Sequence, residues 1–321
     1  MPELPEVENL RLGLEKYILG QKILKVKVNK GRLVSGKGNI RSISPAKIKE
    51  FEKEIQGEKF VSVERRAKNL IFNLTHNKII LAHLKMTGQF AYIPKQNRAR
   101  NFSSDKAVSA RGTRKITSPV EPVFGGHPIE ISEKTLPNKH THIIFELDKG
   151  TLYYNDTRMF GYVLYFKDKN TLEKDGHFKN LGKEPLDKDF SLNYFKESLK
   201  DKKSKIKSVL MSQSVVVGVG NIYTDESLFE AGIDPRRQAS SLKDIEITKL
   251  YKVIIRILKK AIKVGGSSVA TYRLIDNTRG NYAREHKVYG KDGEKCVNCG
   301  TKLKKILINT RTTIFCPKCQ K

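Results

Sequence analysis

Acidic residues are in short supply. Against 62 lysines and arginines the chain carries 34 aspartates and glutamates, a formal net charge of +28. That is far beyond what solubility requires and favours a polyanionic partner. The excess is spread along the chain, but Lys95 to Lys115 holds seven basic residues and one acid, and Cys296 to Lys321 holds six and none. Nucleic acid is the leading partner; a ribosomal or merely salt-tolerant surface is the competing explanation. Long hydrophobic runs are also missing. The most apolar central stretch, VVVGVG at 215–220, falls far short of the roughly 20 residues of a membrane helix. The N-terminus has no basic segment leading into an apolar stretch and a cleavage site. These absences point to a cytoplasmic protein with no membrane partner, and no internal repeat is evident.

Cysteine is scarce and confined to one end. The four cysteines form Cys296-x2-Cys299 and Cys316-x2-Cys319, separated by sixteen residues. Each close pair suits one edge of a tetrahedral zinc site, and the separation suits a hairpin that joins the pairs into a ribbon. Two disulfides are the alternative, disfavoured by the absent secretory signal. Four thiolates leave no position for water, so the expected Zn2+ is structural, and no redox cofactor is implied.

Behind Pro5, the residues Val7, Leu10, Leu14 and Ile18 recur at helical spacing before Gly20. Alternating segments follow: ILKVKV, FVSVERRAKNLIFNL, KIILAHLKM, HIIFEL and TLYYND. They predict a largely antiparallel sheet or sandwich. From about 93 to 138 the pattern dissolves into a basic, Ser/Pro/Gly-bearing stretch, expected to be an insertion. After the connector LGKEPLDKDF, helices are predicted near Leu192–Asp201, Lys205–Met211, Asn221–Ala231 with Gly232 as stop, and Leu242–Val264 before Gly265-Gly266. The expected class is α+β multidomain: an N-terminal β-sandwich-like domain with an N-terminal helix (1–185), a helical domain (186–264), a connector (265–290) and the ribbon (291–321).

The opening MPELPEVE places proline at position 2. Removal of Met1 would expose a secondary α-amine, and an α-amine ordinarily titrates at about 7.7–8.0 against about 10.4 for lysine. Such an amine attacking a sugar C1′ would form an iminium, with Glu3 beside it to move protons. MPELPEVE, VVVGVGNIYTDESLF and the four-cysteine ribbon occur here in that order. Together they resemble the formamidopyrimidine-DNA glycosylase family over nearly the whole chain. The resemblance implies a helix-two-turns-helix DNA-binding domain at 186–264, a lesion-capping loop within 265–290, and monomeric action on double-stranded DNA with oxidised bases or abasic sites.

The same resemblance makes Pro2 the Schiff-base nucleophile and Glu3 its acid/base. Glu6 shares the opening motif, where favourable charge in a first helical turn is equally good physics. Lys68, in RRAKNL, becomes a catalytic lysine on a β-hairpin. Met86, Arg158 and Phe160 become the residues that fill the void left by a flipped nucleotide, and Asn221 and Arg311 become phosphate contacts. Gly218 and Gly220 are expected to let a DNA phosphate approach a helix start. The implied activity is removal of oxidised purines followed by strand cleavage through β,δ-elimination. An endonuclease VIII-like preference for oxidised pyrimidines and a noncatalytic DNA-binding protein are the alternatives. Lys85, in HLKM, stands where the resemblance implies glycine.

Overall fold

The computed structural model describes residues 1–37, 40–95, 123–126, 136–267 and 280–321. Its first helix, α1 (Leu4–Ile18), starts at Leu4-Pro5, where a proline's missing N–H costs nothing. It buries Val7, Leu10, Leu14 and Ile18 and ends before Gly20 at φ +74°. Then come β1 (Ile23–Val28), the short pair β2 (Gly36–Lys37) and β3 (Ile40–Arg41), α2 (Pro45–Ile55), β4 (Phe60–Arg66), β5 (Asn69–Leu74), β6 (Ile79–His83) and β7 (Gly88–Pro94). The domain is completed by β8 (Val123–Gly126), β9 (Thr141–Leu147), β10 (Gly150–Asp156), β11 (Tyr162–Phe166) and α3 (Lys169–Asp175).

Two antiparallel sheets, ordered β1-β9-β10-β7-β8 and β11-β6-β5-β4, form the sandwich. Their alternating apolar residues meet in one core that also takes in α1 and α2. An edge-to-face run of rings crosses it, with Phe60–Phe72, Phe72–Phe90 and Phe90–Tyr154 centroids 5.9, 5.5 and 5.1 Å apart. Two features depart from the sequence-based expectation. Residues 123–126, expected to lie in a patternless insertion, form the edge strand β8 on β7. Helices α2 and α3 have no counterpart among the predicted helices. Ser44 caps α2 by accepting from Lys47 N–H at 3.3 Å, and Asp168 caps α3 by accepting from Thr171 N–H at 2.7 Å. The remainder of the insertion, 96–122 and 127–135, and residues 268–279 of the 265–290 region expected to hold the lesion loop lie outside the described residues.

The second core belongs to α4 (Leu192–Lys200), α5 (Ile206–Met211), α6 (Asn221–Ala231) and α7 (Asp244–Lys263). These helices lie within two residues of the sequence boundaries, and Gly232, Gly265 and Gly266 adopt positive φ behind them. Helix α6 is buried along nearly its whole length, acids included. The ribbon hairpin, β12 (Lys304–Ile308) and β13 (Arg311–Phe315), turns through Asn309-Thr310, both at positive φ, and rests on α6. Among the described residues no helix is long and apolar enough to cross a membrane.

Candidate active site and nucleic-acid interface

The N-terminal residues run into the junction of sandwich and helices. Pro2 and Glu3 are buried while Met1 remains exposed. Leu4 N–H donates to Gly218 O at 2.9 Å. A Cβ on Gly218 would stand 2.5 Å from Leu4 Cβ, and one on Gly220 would stand 2.5 Å from Glu3 Cδ. That absence of side chains lets the Glu3 carboxylate reach the start of α6. Its Oε2 accepts from Gly220 N–H at 2.6 Å and Tyr223 N–H at 3.4 Å, and its Oε1 accepts from Ile222 N–H at 2.9 Å. The expectation that these glycines admit a phosphate is therefore corrected: the amides at the positive end of α6 are taken by Glu3.

Glu6 is no exposed first-turn charge. Its carboxylate accepts from Glu3 N–H at 2.9 Å, Tyr223 OH at 2.6 Å and Ser267 N–H at 2.7 Å. Burial, reinforced by Glu3, raises its pKa above the ordinary carboxylate range. It ties the first turn of α1 to α6 and to the chain leaving α7.

Lys68 sits in the two-residue turn between β4 and β5, with Ala67 at φ +56°. It is buried and donates from Nζ to Val219 O at 3.1 Å. Burial lowers its pKa against the pull of Glu3 and Glu6. Burial likewise lowers the α-amine of Met1, with Glu3, Lys68, Glu6 and Arg311 acting on the same charge. One amine, one lysine and two carboxylates thus share a low-dielectric site.

The Lys68 turn is clamped from the connector. Glu184 accepts from Arg65 Nη1 at 2.7 Å, Arg66 Nη1 at 3.2 Å and Ala67 N–H at 2.5 Å. Arg66 also donates to Gly182 O at 2.7 Å. The sequence alone gives Glu184 no role.

Met86 and the Arg158/Phe160 pair project from neighbouring loops. Met86 and Phe160 are 40% and 50% exposed. The Arg158 guanidinium lies 4.6 Å from the Phe160 ring centroid. Buried Asp156 joins the loops: it accepts from the Thr87 hydroxyl, from Arg158 N–H at 3.2 Å and from Gly161 N–H at 2.8 Å. His83 Nδ1 accepts from Lys85 N–H at 2.9 Å, which leaves the ring proton on Nε2. Burial first, then Lys85 and Lys68, holds this imidazole well below its usual pKa.

The four cysteine Sγ atoms lie within 4.8 Å of one another, with Cys296–Cys319 at 3.9 Å and Cys299–Cys316 at 3.5 Å. Tetrahedral zinc with Zn–S of about 2.3 Å calls for edges of about 3.8 Å. The cluster fits a structural Zn2+, held by these four thiolates. The ribbon is fastened to the helices through Thr312 O, which accepts from Asn221 Nδ2 at 3.0 Å and Lys207 Nζ at 2.9 Å. Lys207 also pairs with buried Asp225 at 2.7 Å. Asp225 accepts from Ile314 N–H at 3.3 Å, while Glu226 accepts from the N–H groups of Lys287, Val288 and Tyr289 at 2.9, 3.0 and 2.8 Å. Arg311, at the start of β13, is thereby held exposed beside Asn221. The structure gathers Pro2, Glu3, Glu6 and Lys68 into one site, Met86, Arg158 and Phe160 into one exposed cluster, and Asn221 and Arg311 at the ribbon's edge.

Three family models cover most of the chain: the formamidopyrimidine-DNA glycosylase N-terminal domain over residues 1–163, the formamidopyrimidine-DNA glycosylase H2TH domain over 181–273, and the zinc finger found in FPG and IleRS over 293–321. The chain is 35% identical over 320 residues to a formamidopyrimidine-DNA glycosylase of Desulfitobacterium hafniense and 37% identical over 322 residues to that of Listeria monocytogenes, with all of both partners covered in each case. Among solved structures, a Lactococcus lactis FPG mutant in complex with a Fapy-dG-containing DNA superposes with a TM-score of 0.79 at 33% identity, covering 100% of each chain. The Lactococcus lactis Fpg with an abasic-site DNA gives 0.78 at 33% identity, covering 99% of each. A zinc-bearing β-sandwich and helical fold, a buried amine-and-carboxylate site and full-length similarity agree: the chain belongs to the formamidopyrimidine-DNA glycosylase family of bifunctional DNA glycosylases and abasic-site lyases.

Proposed function

We propose that this chain removes oxidised purines, 8-oxoguanine and formamidopyrimidines, from duplex DNA in the bacterial cytoplasm and then cuts the abasic strand, acting as a monomer. The observation that carries the reading is the convergence of buried Pro2 with Glu3, Glu6 and Lys68. Phosphate contacts by Arg311, Asn221 and the basic surface would hold the duplex, and Met86, Arg158 and Phe160 would fill the space behind a flipped nucleotide.

With Met1 removed, the Pro2 nitrogen attacks C1′ and the C1′–N bond to the base breaks, the base leaving with a proton. The C1′–O4′ bond then breaks as O4′ takes a proton, which opens the sugar and leaves a C1′ iminium on Pro2. Loss of a C2′ proton breaks the C3′–O bond, and a second elimination breaks C5′–O, leaving phosphate at both ends of a gap. Burial lowers the pKa of the α-amine on the adjoining Met1. Glu3, placed by three backbone N–H groups, is the proton carrier beside the sugar, and Lys68 supplies positive charge to the phosphate side.

A wider lesion range is a second reading, because the wild-type Lactococcus lactis Fpg, 32% identical, is solved with an oxidised-pyrimidine-containing DNA. Borohydride trapping on duplexes with one 8-oxoguanine opposite cytosine, or one thymine glycol, tests both. An adduct mapped to Pro2 by peptide mass spectrometry is expected on the first, and on the second if the range is wide. Tight binding with no adduct on either, and no change in Pro2→Gly, would leave the noncatalytic alternative standing.

A further inference from the structure

The turn that presents Met86 carries a lysine in an unfavourable place. Lys85 has φ +50°, a conformation that glycine adopts freely and lysine does not. Its side chain is half-buried, with the ammonium 5.8 Å from the centroid of the Tyr162 ring. The Arg41 guanidinium lies 4.7 Å from the same centroid. Two cations therefore lie close to one aromatic ring. Asp175 pairs with His177 and also acts on Arg41. Burial and then Arg41 both lower the Lys85 pKa, so this environment works against its charge. The Lys85 charge also acts on Lys68.

A strained, half-buried cation close to another cation is relieved by an anion. We propose that Lys85 and Arg41 form a phosphate seat, which grips one backbone phosphodiester of the DNA strand that Met86 enters. The inference rests on the DNA-binding reading above and adds a contact that this chain's lysine makes in place of a glycine. Tyr162 is the floor of the seat: buried, and fixed by donating from its hydroxyl to Asn69 Oδ1 at 2.8 Å. Lys85 also donates its backbone N–H to His83, so the side chain that reaches the phosphate is anchored at its root.

The test is the salt dependence of affinity for a duplex with one tetrahydrofuran abasic analogue, measured for the full chain and for Lys85→Gly, Lys85→Met and Lys85→Arg. Giving up the grip on one phosphate should reduce the slope of log K against log salt by about 0.9. The glycine and methionine variants should show that reduction, and arginine should retain the wild-type slope. Methylphosphonate placed at successive linkages around the analogue then locates the contact. One neutral linkage should weaken the wild type and leave Lys85→Met unaffected. Equal slopes in all four proteins, or equal penalties at every linkage in wild type and Lys85→Met, would overturn the seat. Wild-type protein with no salt-dependent affinity would overturn the functional reading with it; steep wild-type binding matched by both neutral variants would overturn the seat alone.

Discussion

Replacing Glu184 with alanine removes one carboxylate and disturbs three donors at once. Arg65 and Glu184 side chains are 9% and 7% exposed, so their 2.7 Å contact is a buried ion pair. Removing one member of such a pair costs about 3–5 kcal/mol, because the other charge stays behind in a poor solvent. Here the charges are not wholly stranded. Arg65 keeps Glu8 at 2.8 Å and Ala67 O at 3.0 Å, and Arg66 keeps Gly182 O. That argues for the lower end, about 3 kcal/mol. With a urea slope of about 2 kcal/mol per molar, the midpoint should fall by about 1.5 M. The freed Ala67 N–H loosens the turn that carries Lys68, so the single-turnover excision rate at saturating DNA should fall roughly tenfold to hundredfold. A midpoint shift below about 0.5 M would refute the energetic argument. A full loss of stability with the wild-type excision rate would refute the claim that Glu184 positions Lys68.

Glu3→Gln keeps the volume but offers one oxygen where two now serve three N–H groups. Excision should drop by roughly 10²- to 10⁴-fold in a protein of normal circular dichroism, and a loss under tenfold would exclude a proton-transfer role. His286 is buried, faces Ser267 Oγ at 2.9 Å and has its pKa lowered to about 4, chiefly by burial. Between pH of about 6.5 and about 4 the unfolded imidazole binds a proton that the folded one refuses, so stability should fall with pH across that window, by up to about 3 kcal/mol. Urea titrations at pH 7 and pH 4.5 should show this fall and a smaller one in His286→Gln; equal falls would assign it to other groups. Stripping zinc with a chelator should cut DNA affinity, because Arg311 loses its mount, while the far-ultraviolet signal of α4–α7 persists. Undiminished affinity after complete zinc release would contradict that coupling.

Much of the helical domain is legible in the sequence, because Leu250, Ile254, Ile257 and Leu258 mark a face and Gly232, Gly265 and Gly266 mark stops. Helix α2 is not, since only Phe51 and Ile55 of its eleven residues are buried and six of the others are charged. Strand β8 is four residues, two of them glycine, within a polar stretch. The cysteines are readable because metal geometry is written in local spacing. Carboxylate roles are not: Glu184 meets Ala67 across 117 positions, and Glu3 meets Gly220 across 217. Nothing near Glu184 or Asp156 in sequence distinguishes it from a solvated acid. Glu3 becomes a candidate through motif resemblance, yet its use of the α6 amides reverses the expectation for Gly218 and Gly220.

The seating of Glu3 on α6 also makes the site depend on two domains. The carboxylate comes from the sandwich's first helix, the amides that orient it come from the helical domain, and the lysine beside them donates to that domain's Val219. Glu3 and Lys68 are thus held where they are only by contacts that both domains supply.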